Sequence, residues 1–206
     1  MKHNGFEYVD LGLPSGTKWA TCNVGANSET DSCMHFAWGE TKGYNRIINA
    51  KKFSWNDYKF SKDGSNINFT KYNTVDGKKI LDLEDDAVNI NMGGRWHMPS
   101  EEQFKELVDE NNVISLWSEN YNYSGVSGRL LISKINGEKL FFPSCGYFYK
   151  GEFYNSRYYG HYWSGSCCEG NNSRSFCFSK YKELRPYRDY RFFGFAIRGV
   201  FNTFWI

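Results

Sequence analysis

The sequence predicts an α+β protein folded as a single domain, residues 1–206. Three observations predict it. Strand-like stretches open the chain, helix-like stretches follow, and strand-like stretches close it, an order that sets helices against an antiparallel sheet. No Pro/Gly/Ser-rich or charged linker divides the 206 residues. Hydrophobic residues make up only 40%, but 17 Phe, 15 Tyr and 7 Trp each bury a large area, enough for a real core.

Each element has its own justification. Phe6 to Leu11 alternates and is rich in β-formers, so it reads as a first strand. After a turn at Leu13-Pro14-Ser15-Gly16, Thr17 to Val24 reads as a second, with Trp19 as a core anchor. Met34 to Gly39 is short and apolar, another core segment. From Glu40 to Lys79 the chain is polar, with isolated rings at Tyr44, Phe53, Trp55, Tyr58, Phe60, Phe69 and Tyr72; this predicts a long loop pinned by aromatics. Asp82 to Ile90 starts with acids that suit the helix dipole and stops at Gly93-Gly94. Pro99 to Asn111 is a stronger helix. Ser100 and Gln103 form a capping box, and Phe104, Leu107 and Val108 share one face. Gly128 to Pro143 reads as a hairpin turning at Asn136-Gly137, and Gly194 to Val200 as a buried closing strand.

Composition excludes several functions. The net charge is +2 with both signs interspersed, so no field calls for nucleic acid. No run reaches the ~18 apolar residues of a spanning helix, and the start lacks the apolar centre of a signal peptide, so no membrane insertion is expected. The six Cys form no CxxC pair and the four His are scattered, which predicts no zinc site and no full disulfide framework. Glu84-Asp85-Asp86 reads as helix N-terminal acids rather than paired catalytic carboxylates, and His97 as structural. Trp55-Asn56-Asp57 matches a calcium-ligand tripeptide of sugar-binding lectins, but its companion motif is absent and it lies far from the C-terminal end, so no calcium is expected.

One stretch stands apart. Glu152 to Phe193 holds no Ala, Val, Ile, Met, Thr or Gln, and Leu184 is its single Leu. Tyr, Arg, Ser, Asn, Cys and Phe take their place. A stretch without aliphatics should add little ordinary core, yet it is too aromatic to be a solvated tail. Rigid amphipathic rings beside adaptable hydrogen bonders are what paratopes are made of. The expectation is a binding region, residues 151–200 with the closing strand, on a scaffold of residues 1–150.

Motifs along nearly the whole chain carry a resemblance. Glu7 to Ala26, Phe36 to Thr41, Lys71 to Thr74, Leu81 to Ala87, Gly93 to Ser100, Tyr162-Trp163-Ser164 and Gly194 to Arg198 resemble, in order, the Fibrobacter succinogenes major paralogous domain of gut Bacteroidetes. The resemblance implies a C-type lectin-like fold: two helices, a twisted antiparallel sheet with its first and last strands paired, and long irregular loops. The chain departs from that pattern in the aromatic-basic stretch. There, residues vary between fixed points at Gly160, Tyr162-Trp163-Ser164, Phe176, Phe178, Arg191 and Gly194, and the replacements are those reached by mutating adenines of Asn codons. This is similar to the variable region of a diversity-generating retroelement, found in bacteria such as Bacteroides and in gut phages.

The resemblance implies a calcium-independent ligand-binding protein, not an enzyme, with no cofactor, metal or catalytic residue. Its partner would be a protein or glycan ligand on another cell or surface, and its place extracellular, on a phage virion or bacterial cell surface. The variable ligand-binding positions would be Asn155, Ser156, Arg157, Tyr158, Tyr159, His161, Cys167, Cys168, Asn171, Asn172, Ser173, Arg174, Ser175, Cys177, Ser179, Tyr181, Arg185, Tyr187, Arg188, Asp189, Tyr190, Phe192 and Phe193. The fixed points should be buried and the variable positions should share one exposed face. The alternatives are a non-diversified adhesin or structural module of the same family, and an enzyme of the formylglycine-generating type. The last needs a reactive Cys pair, whereas Cys145 reads as standing alone.

Overall fold

A computed structural model describes residues 1–31, 33–47, 51–154, 157–168 and 170–202, with backbone alone at 183 and 184. The chain opens with β1 (Lys2–His3), β2 (Phe6–Asp10) and β3 (Thr17–Asn23). Loops then lead, through 3-10 turns at Trp55–Asp57 and Leu83–Asp85, to α1 (Ala87–Met92) and α2 (Glu101–Leu107). Strands β4 (Val113–Ser118), β5 (Gly128–Ser133) and β6 (Lys139–Pro143) follow. Next come β7 (Tyr147–Tyr149), β8 (Glu152–Tyr154), β9 (Tyr159–Cys167), β10 (Asn172–Ser179), β11 (Lys182–Tyr190) and β12 (Arg198–Asn202).

The class is mixed α+β, with two short helices and antiparallel pairing between the strands. The single sheet expected from the resemblance is instead four among the described residues: β1-β2-β3-β12, β4-β5-β6, β7-β8 and β11-β10-β9. Chain ends do meet, but through the third strand. β12 pairs with β3, with Val200 opposite Trp19, and β1 and β2 lie outside that pair. The closing strand begins at Arg198; before it, Phe195 and Ala196 make only single bridges, to Phe36 and Tyr162.

Both helices are shorter than expected, for local reasons. Asp86 is extended (φ −86°, ψ 110°), and its carboxylate accepts from Val88 N and Asn89 N, so the acidic run splits into a 3-10 turn and a capped α1. Ser100 and Gln103 form the expected capping box, but α2 ends at Leu107 and the chain turns into β4. That strand lies outside the predicted elements. Its signal was the alternation of Val113, Ser115 and Trp117 with Ile114, Leu116 and Ser118.

Two apolar clusters form the core, and three segments separate them. Trp19, Tyr162, Ala196 and Val200 pack with Phe104, Leu131, Phe176 and Phe178. Their chain neighbours Ala20, Trp163, Phe195, Ile197 and Phe201 point the other way, into a cluster with Trp38, Trp96 and Phe148. Such two-sided burial follows from strand alternation: successive side chains leave opposite faces. The long loop is pinned as expected, since Phe53, Tyr58, Phe60, Phe69 and Tyr72 are all buried. Lys59 and Lys71 reach across to Asp85, and Tyr72 Oη donates to the same carboxylate at 2.7 Å.

Candidate binding face

The aliphatic-free stretch is the most regular part of the molecule. It forms the β9–β10–β11 sheet, whose three strands are the longest among the described residues. The expectation that it adds little core is therefore corrected: rings do the work of aliphatics. Tyr162, Phe176 and Phe178 enter the Trp19 cluster, and Phe104 of α2 stacks on Phe176 at 4.0 Å. Alternation along Ser175-Phe176-Cys177-Phe178-Ser179 was the readable signal.

Register assigns the other side chains. Phe176 lies opposite Tyr162 and Pro186, while its neighbour Cys177 lies opposite His161 and Arg185. One face thus carries Tyr159, His161, Trp163, Ser173, Ser175, Cys177, Ser179, Arg185, Tyr187 and Asp189, of which Trp163 and the three serines are buried. Gly160 is required on the strand next to them, because a Cβ there would lie 2.2 Å from the Phe178 ring.

The electrostatics of this face are those of a poorly hydrated surface. His161 sits against Tyr147 and Phe195, each 4.9 Å between centroids, and burial pushes its imidazole down to about 4. Asp189 is half-buried and accepts from Ser175 Oγ at 2.5 Å, yet burial raises its carboxyl to about 6. Burial likewise holds up the thiols of Cys167, Cys168 and Cys177.

Sequence reasoning missed the hairpin that extends the aromatic surface. Tyr147 stacks on Tyr154 at 5.1 Å, and Tyr149 packs on Phe192 and Phe193. Tyr147 and Tyr149 precede the compositional anomaly; their signal was the ring alternation before Gly151.

The fixed points are where the sequence puts them. Gly160, Tyr162, Trp163, Ser164, Phe176, Phe178, Arg191 and Gly194 are all buried. Arg191 is the most telling. It is fully buried, donates to the carbonyls of Tyr72, Cys168 and Asn172 and to Cys167 Sγ, and lies over Trp38 and Phe69. Asn171 O accepts from its backbone N–H.

The variable positions do not share one exposed face. Arg157, Tyr158, Tyr159, Tyr181, Arg185, Tyr187, Arg188 and Tyr190 are exposed, Tyr181 by 80%. His161, Cys167, Asn171, Asn172, Arg174, Cys177, Asp189 and Phe193 are half-buried. Cys168, Ser173, Ser175, Ser179 and Phe192 are buried and cannot reach a ligand across the surface as they stand. Arg174 and Arg188 pair across β10 and β11 on the α2 side, where Arg174 meets Glu101 at 2.8 Å. The reason is geometric: a strand sends alternate residues to opposite sides, so a contiguous stretch cannot display all its members together. Asn155 and Ser156 lie outside the described residues.

Two other clusters bear on chemistry. Oxygens of Asp82, Glu84 and Asp85 lie within 4.8 Å of one another, close enough for a cation, but Lys71 Nζ meets all three carboxylates. Asp86 is buried as a helix cap. The second is a cavity of about 570 Å³ lined by Cys33, His35, Asn45, Arg46, Cys145 and Phe153, among others. Cys145 does not stand alone: it lines this cavity together with Cys33.

Comparison of the chain with protein-family models, curated proteins and solved structures returns no match.

Proposed function

We propose that this is a binding protein with a C-type lectin-like fold whose C-terminal face is diversified by a retroelement. The observation that carries the proposal is the segregation within one sheet and the turns beside it. Positions read as fixed are buried in the core, whereas eight of the positions read as variable are exposed Tyr or Arg, the residue types that dominate recognition hot spots. The recognition surface on this reading comprises Tyr159, His161, Cys177, Arg185, Tyr187 and Asp189, extended by Tyr147, Tyr149 and Tyr154. Its partner is a protein or glycan on another cell or surface, met outside the cell. Burial of the Ser positions narrows the proposal: Ser173, Ser175 and Ser179 tune the sheet and leave contact to their neighbours. Among the described residues no helix is long and apolar enough to cross a membrane.

Sequencing the locus in related isolates tests this. Substitutions should gather at codons of Glu152–Phe193, beside a reverse transcriptase gene and a near-copy of the 3′ end. Changes spread evenly along the gene would instead favour a fixed adhesin on the same scaffold.

A further inference from the structure

The cavity beside Cys33 and Cys145 lies apart from the proposed recognition surface and does not rest on it. Cys33 is buried, with 3% of its surface exposed, while Cys145 is only half-buried and lines the cavity with it. Around Cys145 the fold has placed hydrogen-bond donors. Asn23 Nδ2 donates to its sulfur at 3.2 Å, and the amide cannot turn, because Asn23 Oδ1 accepts from Arg198 Nε at 2.7 Å. The Tyr162 hydroxyl lies 3.5 Å from the same sulfur and 2.8 Å from Pro143 O, so its one proton can serve either. Arg198 is fully buried; it donates to the carbonyls of Ala20, Thr21 and Phe141, and among the described residues no carboxylate pairs with its guanidinium.

We infer that Cys145 and Cys33 form a thiol–disulfide exchange centre, with Cys145 the attacking sulfur, Cys33 the resolving one, and a small disulfide of the cystine or glutathione type as substrate. Three features fit that class. The cavity of about 570 Å³ has room for a small organic disulfide. Asp31 and Arg46 line it with opposite charges, matching the ammonium and carboxylate groups of an amino-acid-derived disulfide. A thiolate is the nucleophile, and neighbouring donors and a guanidinium favour it. Consistently, the Cys145 thiol is held below its ordinary value, chiefly by the Cys33 thiol, then by Tyr162, Arg198 and Asn23 against the effect of burial. Cys33 is raised, first by Cys145 and then by burial.

The chemistry balances. The Cys145 thiolate attacks one sulfur of the bound disulfide; a new S–S bond forms as the ligand's breaks, and the departing sulfur leaves as a thiolate that takes a proton from water. Cys33 gives up its proton and attacks Cys145 Sγ, forming the Cys33–Cys145 disulfide and releasing the second thiol. The protein dithiol loses two electrons and the small disulfide gains them.

Peptide mapping after exposure of the reduced protein to glutathione disulfide tests this, with acid quenching and alkylation. The expected result is a Cys33–Cys145 link and a fall in free thiols from six to four in the denatured chain, six being the full complement of Cys. Cys33→Ser should stop the reaction at a glutathione adduct on Cys145. Cys145→Ser should leave Cys33 unmodified. Adducts on Cys22 or Cys177 with Cys145 still free, or a Cys145→Ser variant consuming glutathione disulfide as fast as the native chain, would overturn the assignment. Should either variant fail to fold, the map of the native chain decides alone.

Discussion

Replacing Asp189 with Asn should stabilise the protein at neutral pH, and the gain should vanish in acid. Asp189 lies opposite Ser173 on β10 and accepts from Ser175, with Cys177 on the same strand as those serines, Tyr147 on β7 and Arg185 on its own strand nearby. Its largest influence is burial, opposed only by the Ser175 hydrogen bond, and the carboxyl rises from 3.8 to about 6. The sign follows from linkage: the folded state holds the proton more tightly than the unfolded state, so stability falls as pH climbs from 3.8 through about 6. The displacement corresponds to ~3 kcal/mol when both states are ionised, and solvent reaching a half-buried group reduces this to ~2 kcal/mol. Asn has the same shape and keeps an acceptor for Ser175 Oγ. Urea unfolding followed by Trp fluorescence at ~pH 7.5 and ~pH 4 gives the comparison; taking the difference between variant and native chain cancels the titration of the histidines. A variant that is less stable at ~pH 7.5, or more stable by the same margin at both pH values, would refute the reasoning.

Other consequences follow from the same geometry. His35 and His161 are held down to about 4 by burial, so each contributes stability that is complete above ~6.5 and lost as pH falls toward 4; His161→Gln should raise acid resistance in that window, read as a shifted acid-unfolding midpoint. Gly160→Ala should cost about 1–3 kcal/mol, since its Cβ would meet the Phe178 ring, whereas Tyr181→Ala on the exposed turn should stay within about 0.5 kcal/mol; equal costs in chemical denaturation would contradict the division into fixed and free positions. Asp86→Ala removes the acceptor for Val88 N, Asn89 N and Met98 N and should cost about 2 kcal/mol or more in thermal unfolding.

Legibility of the sequence tracked how local the deciding physics was. Strands β2 and β3, the capping box at Ser100 and Gln103, the β5–β6 hairpin and the ring-pinned loop were readable because alternation, caps and turns act over a few residues. Four separate sheets were not readable, because pairing partners such as Val200 and Trp19 are set by packing across the whole chain. The aromatic sheet was missed for another reason. β10 carries its alternation as Phe against Ser and Cys, with no aliphatic residue in it. The placing of Cys33 and Cys145 on one cavity was invisible because 111 intervening residues fold between the two.

The burial pattern also bears on how such a sheet could tolerate change. β10 anchors itself in the Trp19 cluster through Phe176 and Phe178, while Ser173, Ser175, Cys177 and Ser179 line its other face, where the three serines are themselves buried. Those four are small, and larger replacements at the buried serines would crowd β9 and β11, which leaves Cys177 the most open of them. β11 lies at the sheet edge, joined to β10 alone in its sheet, and its described side chains from Arg185 to Arg188 are exposed on both sides. An exposed edge rich in Tyr and Arg is costly to leave unpaired, since its free backbone groups invite other strands. On the proposed reading that exposure is what recognition uses. Tolerance should then rise in order from β9 through β10 to β11, because β9 is buried between the two clusters, whereas β11 is exposed from Arg185 to Arg188 and meets the core through Tyr190 against Trp55 and Phe192. A library randomised equally over all three strands and selected only for folding should therefore retain most sequence diversity at Arg185 to Arg188 and least at Tyr162 to Ser164; an even distribution across the strands would remove the structural basis for placing the variable surface here.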